Sequence, residues 1–402
     1  MTVAFKPCRL SGKITAPPSK SFAHRALICA SLTGGAEVRG IGFSEDVSAT
    51  LSCLRALGAK AEIKGDSVLI GGLDPFDIPD GAILDCRESG STLRFLIPIC
   101  LTAGKPVVLT GSKRLFERPL GVYKEICEER GWTFELKENG LALCGDLSAG
   151  DYCVPGNISS QFVTGLMLAL PMLRGESRIR IAGGFESASY ADITASVMRD
   201  FGVSVDKTAD GFRVYGDRSY SRTEPYTVEG DCSNAAFLEA FNLAGGNVEV
   251  TGIKEDTVQG DRVYKSIFAG FENGEKRFDL SDCPDLAPVA FAASLPFGGA
   301  EFTGTARLRL KESDRAECMR KELCKFGASV TVNENSVIIN SNGVKTPSET
   351  LCSHNDHRIA MALSLLCSVT GGSIEGAEAV NKSYPGFFED IKKLGAIIEE
   401  TE

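Results

Sequence analysis

The chain of 402 residues has one tryptophan, three histidines and six methionines, and it lacks several signatures that would settle a function at once. No GxGxxG follows a strand-like run and no GxxxxGK[ST] occurs, so the usual dinucleotide and ATP loops are missing. So few histidines leave little for a metal centre. The run CSHNDH sets Cys352, His354 and His357 close together, but no matching ligand pair stands elsewhere, and zinc is not indicated. No apolar run reaches membrane-spanning length, since the longest candidate, Phe162 to Leu173, is broken by Thr164, Gly165 and Pro171. The opening residues MTVAFKPCRLSGKI carry no apolar block of the signal-peptide kind, which makes the cytoplasm the expected compartment and a membrane partner unexpected. Basic charge is also short. A net charge of -10 argues against nucleic acid as a partner, because that role needs a basic face. The 14 cysteines are scattered, and Cys29, Cys53, Cys100 and Cys367 fall in apolar helical patterns, so they are expected as reduced core thiols.

What the chain does contain is repetition. A short extended run, a polar loop, an amphipathic helix and a glycine-rich stop recur from Gly12 to Gly35, Leu84 to Gly104, Tyr152 to Gly175, Tyr226 to Gly246, Phe278 to Gly299 and Leu351 to Gly372. Each copy gathers its polar residues where loop becomes helix. A helix N-terminus leaves four backbone N–H groups unpaired and carries roughly half a positive charge, so such junctions suit anions. Copies built alike point to a multiply charged anionic ligand.

A second phrase interleaves with the first: a helix end, a glycine, then two short strands. It reads LRALGAKAEIKGDSVLIGG from Leu54, CEERGWTFELKENGLALCG from Cys127, MRDFGVSVDKTADGFRVYG from Met198, LCKFGASVTVNENSVIINS from Leu323, and IKKLGAIIEE from Ile391. The glycine supplies a left-handed helix cap, and the strands read as hairpins. Between Met198 and Leu323 one copy is missing, with SIFAGFENGEKRFDL as its expected worn remnant. Together the phrases make an α/β unit of βαβαββ type. Two domains of three units follow, residues 18–229 as one and residues 1–17 with 230–402 as the other, the N-terminal strand joining the C-terminal domain.

At the junctions, APPSKSFAHRAL offers Ser19 or Ser21 as a cap with Lys20 and Arg25 beyond it, and RESGSTLRF offers Gly90, Ser91 and Arg94, the last a fork for a carboxylate or phosphate. GNISSQFVTG brings Ser159, Ser160 and Gln161, although capping needs only one of them. GDCSN and SDCPDLAP bring Asp231, Asp282 and Asp285, each readable as an N-cap or as a proton-transfer group. SHNDHRIAM brings Arg358, with Asp356 or His357 as its support. Three further clusters, KRLFERPLG, RLRLKESDR and NKSYPGFF, supply Lys113, Arg114 and Arg118, then Arg307, Lys311, Glu312 and Arg315, then Lys382. Any one of these alone is ordinarily a solvated charged face.

The motifs PPSKSFAHRAL, ESGSTLRFL, ERPLG, NISSQF, DCPDLAP, LKESDR, NDHRIAM and NKSYPGFF, in this order across nearly the whole chain, resemble the enolpyruvyl transferases, in the branch whose acceptor is shikimate 3-phosphate. The resemblance implies a two-domain enolpyruvyl-transferase fold, an inside-out α/β barrel with three βαβαββ repeats per domain and the active site in the interdomain cleft. It implies transfer of enolpyruvyl from phosphoenolpyruvate to the 5-hydroxyl of shikimate 3-phosphate, in the shikimate pathway to chorismate and aromatic amino acids, with no metal or organic cofactor. A monomer is the family-like default.

Carried over by motif, Lys20, Ser21, Arg25, Ser159, Ser160, Gln161, Ser187, Tyr190, Asp285 and Lys311 are implied to hold shikimate 3-phosphate. Lys20, Gly90, Arg118, Gln161, Arg315, Arg358 and Lys382 are implied to hold phosphoenolpyruvate. Asp285 is the implied base and Glu312 the implied acid, with Lys20 touching both substrates. Gly90 keeps the small residue of members that admit glyphosate, an expected inhibitor. Glu88 and Arg307 stand where better-known members carry Asn, so direct contacts there are not carried over. Two alternatives stay in view. The sister enzymes acting on UDP-N-acetylglucosamine typically carry a reactive cysteine in the loop that here reads TGSKRLFERPL and has none. A non-catalytic phosphometabolite-binding relative would have no use for both Asp285 and Glu312.

Overall fold

The structure, a computed structural model, describes residues 1–401. The chain divides into two compact units, Met1–Pro17 with Gly230–Glu402, and Pro18–Glu229. Each has its own apolar core, one running from Phe22 to Val228 and the other drawing Val3 and Phe5 together with residues from Cys232 to Leu394.

The Pro18–Glu229 unit holds three four-stranded sheets of one design. In the sheet containing Asp151–Pro155, that strand runs parallel to Glu176–Ala182, as a right-sized helical crossover between them requires. Glu176–Ala182 in turn pairs antiparallel with Gly211–Tyr215, whose hairpin partner is Val205–Thr208. The same plan repeats with Ala82–Asp85, Val107–Thr110, Gly140–Cys144 and Thr133–Lys137. The hairpins close on two-residue loops, pairing Lys64 with Ser67, Lys137 with Gly140 and Thr208 with Gly211. The glycine after the helix takes positive φ, +70° at Gly131 and +80° at Gly202, and Gly58, Gly327 and Gly395 behave alike.

The other unit departs from this plan once. It has two four-stranded sheets and a two-stranded one, in which Ser11–Thr15 runs parallel to Asn247–Thr251 with no hairpin added. The segment expected as a worn copy instead forms the helix Tyr264–Glu272, and Arg277–Asp279 starts the next sheet. Two first strands pair with strands distant in sequence. Ser11–Thr15 precedes the Lys20–Ser31 helix in the chain yet pairs with Asn247–Thr251, while Tyr226–Thr227 precedes Cys232–Glu239 yet pairs with Ala36–Arg39.

Helices that follow the first strands are buried on nearly every side and lie in the cores. Leu93, Phe95, Leu96, Ile97 and Ile99 of the Gly90–Leu101 helix are buried, as are Phe162, Val163 and Leu166 to Ala169 of Ser160–Ala169. A helix without a polar face cannot sit at the surface. Cys29, Cys53, Cys100 and Cys367 are buried free thiols, matching the core reading. Among the described residues no helix is long and apolar enough to cross a membrane.

Close approach of two core helices rests on Gly165, where an added Cβ would fall 3.2 Å from Pro98 Cγ and inside contact distance of the Tyr123 hydroxyl and the Arg94 carbonyl. Tyr123 donates to the Arg94 and Phe162 carbonyls at 2.8 and 3.2 Å, tying the two helices together. Gly165→Ala is therefore expected to destabilise the protein by about 1–3 kcal/mol through overpacking. Urea unfolding measures this, and an unchanged midpoint would mean that the helix pair has slack.

Candidate functional site

Within the Pro18–Glu229 unit, the polar residues at the helix N-termini are held by neighbours rather than by chance. Lys20 opens the Lys20–Ser31 helix, and its Nζ lies 2.9 Å from Asp46 Oδ2 in the first turn of Glu45–Ala56. Ser19 occupies the N-cap position without a side-chain cap bond, and Ser21 is already inside the helix. Arg25 is 2% exposed. Its Nε donates to Thr194 Oγ1 at 2.7 Å, its Nη1 to the Ser21 carbonyl at 2.7 Å, and its Nη2 to the Tyr190 carbonyl at 3.1 Å. Burial lowers this guanidinium to about 10. Ser187 stands at the N-cap position of Ala188–Asp200 in the left-handed region, φ +57°, and is buried.

Gly90, Arg118 and Gln161 come together. Ser89 caps the Gly90–Leu101 helix through the Thr92 N–H at 3.2 Å, which frees Gly90 to face Arg118. A Cβ on Gly90 would stand 2.7 Å from Arg118 Nη1 and 2.9 Å from its Cζ. Ser159 caps Ser160–Ala169, accepting from the Gln161 N–H at 3.3 Å, and Ser160 is 5% exposed. Gln161 then reaches across: its Nε2 donates to Ser91 Oγ at 3.0 Å and its Oε1 accepts from Arg94 Nη1 at 2.7 Å. Arg94 thus corrects the expectation of an anion fork. It also donates to the Pro119 carbonyl at 2.9 Å and lies over the Phe162 ring, so it orients Gln161 and the turn after Arg118. Lys113 and Arg114 pair with Glu138 and Glu117 on the exposed surface.

Within the other unit a denser charge network forms. Asp285, in the turn that leads into Ala287–Ser294, accepts through Oδ1 from Arg315 Nη1 at 2.8 Å and Lys311 Nζ at 3.2 Å, and through Oδ2 from Arg358 Nη2 at 2.8 Å. Glu312 Oε2 accepts from Arg315 Nη2 at 2.8 Å. Arg315 is 1% exposed, and its Nε donates to Asp356 Oδ2 at 2.8 Å. Burial alone would pull this guanidinium down, but Asp356, Glu312 and Asp285 carry it well above its ordinary value. Burial lowers Lys311, against the pull of Asp285. Asp356 is fully buried, caps His357–Thr370 through the Arg358 N–H at 3.0 Å, and thereby fixes both arginines. Lys382 Nζ donates to the Asn355 carbonyl at 2.6 Å.

Of the three acidic candidates, Asp231 is an N-cap, accepting from the Asn234 N–H at 2.8 Å, and Asp282 is exposed. Asp285 meets three cations, Lys311, Arg315 and Arg358. Arg307 donates to the Ser281 carbonyl at 2.7 Å. Sequence reasoning passed over Asp46, in FSEDVSAT, and Asp261, in TVQGDRVYK. Asp261 is 4% exposed, accepts from Ser233, and is raised to about 6 by burial first and Asp285 second.

The family description EPSP synthase (3-phosphoshikimate 1-carboxyvinyltransferase) matches residues 5–391. The protein named 3-phosphoshikimate 1-carboxyvinyltransferase in Clostridium kluyveri is 41% identical, the match covering 99% of this chain and 98% of that protein. The protein of the same name in Clostridioides difficile is 38% identical, with 98% and 97% covered. Among solved structures, an EPSP synthase from Acinetobacter baumannii is similar in fold, with a TM-score of 0.81 over 100% of both chains at 24% identity.

Because Asp261 is raised in the folded chain, its contribution favours folding below the unfolded carboxyl value and is lost as pH rises through about 6. Asp261→Asn should therefore stabilise the protein at pH 8 by roughly 1–3 kcal/mol and change little at pH 4. Thermal melts at both pH values decide it, and an equal effect at the two would contradict the assignment.

Proposed function

Because the chain belongs to the EPSP synthase family, the 3-phosphoshikimate 1-carboxyvinyltransferases, we propose that it transfers the enolpyruvyl group of phosphoenolpyruvate to the 5-hydroxyl of shikimate 3-phosphate. The products are 5-enolpyruvylshikimate 3-phosphate and inorganic phosphate, in the shikimate pathway to aromatic amino acids. The observation that carries this reading is the Asp285 carboxylate, faced by Lys311, Arg315 and Arg358, with Glu312 on the same Arg315.

Two phosphates and two carboxylates need many cations, because an unpaired desolvated charge costs several kcal/mol. We read Lys20, Ser21, Arg25, Ser159, Ser160, Gln161, Ser187 and Tyr190, with Asp285 and Lys311, as the holders of shikimate 3-phosphate. Lys20, Gly90, Arg118, Gln161, Arg315, Arg358 and Lys382 hold phosphoenolpyruvate. An anionic substrate arriving at Arg315 and Arg358 competes with Asp285 for those guanidinium groups. Each cation drawn away leaves the Asp285 oxygens better able to take a proton. Asp285 then accepts the 5-hydroxyl proton as that oxygen bonds to C2 of phosphoenolpyruvate, while Glu312 protonates the C3 methylene. The Glu312 carboxylate then takes back a proton from the new methyl group as phosphate departs from C2 with the proton held by Asp285, which restores both groups. The reading takes the enzyme as a cytoplasmic monomer.

Phosphate release from phosphoenolpyruvate should require shikimate 3-phosphate and should not occur with UDP-N-acetylglucosamine; release with only the sugar nucleotide overturns the acceptor. Asp285→Ala and Glu312→Gln should lower kcat about 10²–10⁴-fold while shikimate 3-phosphate still binds. Near-normal turnover in both would overturn the acid and base roles. Glyphosate should compete with phosphoenolpyruvate. Gly90→Ala, whose methyl would press on Arg118, should raise both the KM for phosphoenolpyruvate and the inhibition constant about tenfold, the order expected for disturbing one charge-assisted contact. Equal constants in the variant and the parent would place Arg118 outside the phosphoenolpyruvate site.

A further inference from the structure

The loop from Cys352 to Asp356 carries backbone and side-chain groups that three cations depend on, and it is held in an unfavourable conformation. His354 and Asn355 are consecutive non-glycine residues in the left-handed region, with φ of +51° and +55°. L side chains seldom adopt that region, and two in succession persist only where the surroundings impose them. The arrangement turns the Asn355 carbonyl to Lys382 Nζ at 2.6 Å and starts the Asp356 cap that fixes Arg315 and Arg358.

One buried carboxylate holds it from the neighbouring helix. Glu322 is 1% exposed and lies on the Arg315–Lys325 helix, two turns beyond Arg315 and on the same face. Its Oε1 bonds His354 Nε2 at 2.8 Å, and its Oε2 accepts from the Cys352 N–H at 3.0 Å and Lys325 Nζ at 2.9 Å. The helix therefore grips the loop twice, by Arg315 on Asp356 and by Glu322 on Cys352 and His354. Cys318 and Glu322 raise His354 to about 10, which makes it an imidazolium at neutral pH. Burial would raise Glu322, but hydrogen bonds from His354, Lys325 and Cys352 hold it below the usual carboxylate range.

We propose that His354 and Glu322 form a positioning pair that sets Lys382 and Arg358 for phosphoenolpyruvate. This rests on the reading above, in which those cations hold that substrate. Neither residue touches substrate; the pair acts through the loop. It should therefore affect phosphoenolpyruvate selectively.

Steady-state kinetics on the intact protein, with both substrates varied, test this in His354→Gln, Glu322→Gln, the double variant and His354→Gly. His354→Gly keeps φ +51° at no steric cost while removing the imidazole, so it separates the ion pair from the backbone conformation. The expected result is a KM for phosphoenolpyruvate raised about tenfold in every variant, the size of one lost buried charge-assisted hydrogen bond. The double variant should be no worse than Glu322→Gln alone, because that change already removes the bond to His354. The KM for shikimate 3-phosphate and kcat should stay within about twofold, since the pair is selective for one substrate. A parental KM for phosphoenolpyruvate in His354→Gly overturns the pair, since backbone conformation would then suffice. Equal damage to both substrates also overturns it, as general loss of structure. If Glu322→Gln does not fold, the two His354 variants carry the test alone. No turnover in the unaltered chain overturns instead the functional reading on which the proposal rests.

Discussion

A helix buried on nearly every side leaves the unpaired N–H groups of its first turn few partners. In each unit the core helices are of this kind, so the hydrogen-bonding demand of their first turns falls on a few residues at the loop-to-helix junctions. Ser89, Ser159, Asp231 and Asp356 answer it by capping. Every other polar side chain at those junctions is released from capping, and the positive ends of the helices favour anions there. The placement of Gly90, Gln161 and Arg358 follows from that constraint.

In the unit that carries Asp285, the same logic is reinforced by Arg315. A guanidinium with 1% exposure is tolerable only with its donors on carboxylates, and it ties Asp285 and Asp356, from two other chain segments, to its own neighbour Glu312. Asp356 does two jobs at once, capping its helix and orienting Arg315, so the segments move together or not at all. In the proposed reaction Asp285 is a poor base until an anionic substrate competes for those cations, which would couple the chemistry to substrate arrival.

Local rules were readable in the chain wherever they depend on neighbours in sequence. The post-helix glycines at Gly58, Gly131, Gly202, Gly327 and Gly395 all take positive φ, because a left-handed cap needs no partner from elsewhere. The hairpins were equally legible, although not the residues of every turn. Arg94 shows the opposite case. Its motif suits an anion fork, yet its geometry is set by Gln161 and Pro119, which are remote in sequence. Asp46 and Asp261 carried no signal at all, because a lone aspartate in a helical or loop pattern is ordinary until its neighbours in space are known.

The sequence by itself determined the α/β repeat, its helices and turns, and the residue types gathered at each junction, since periodicity, caps and glycine conformations are local physics. Only the tertiary structure decided that Ser11–Thr15 pairs with Asn247–Thr251 and Tyr226–Thr227 with Ala36–Arg39. It also decided which aspartate meets three cations. Strand partners and ion pairs depend on which distant segments share a core, and a desolvated charge takes its meaning from what lies within a few ångströms rather than from what stands beside it in the chain.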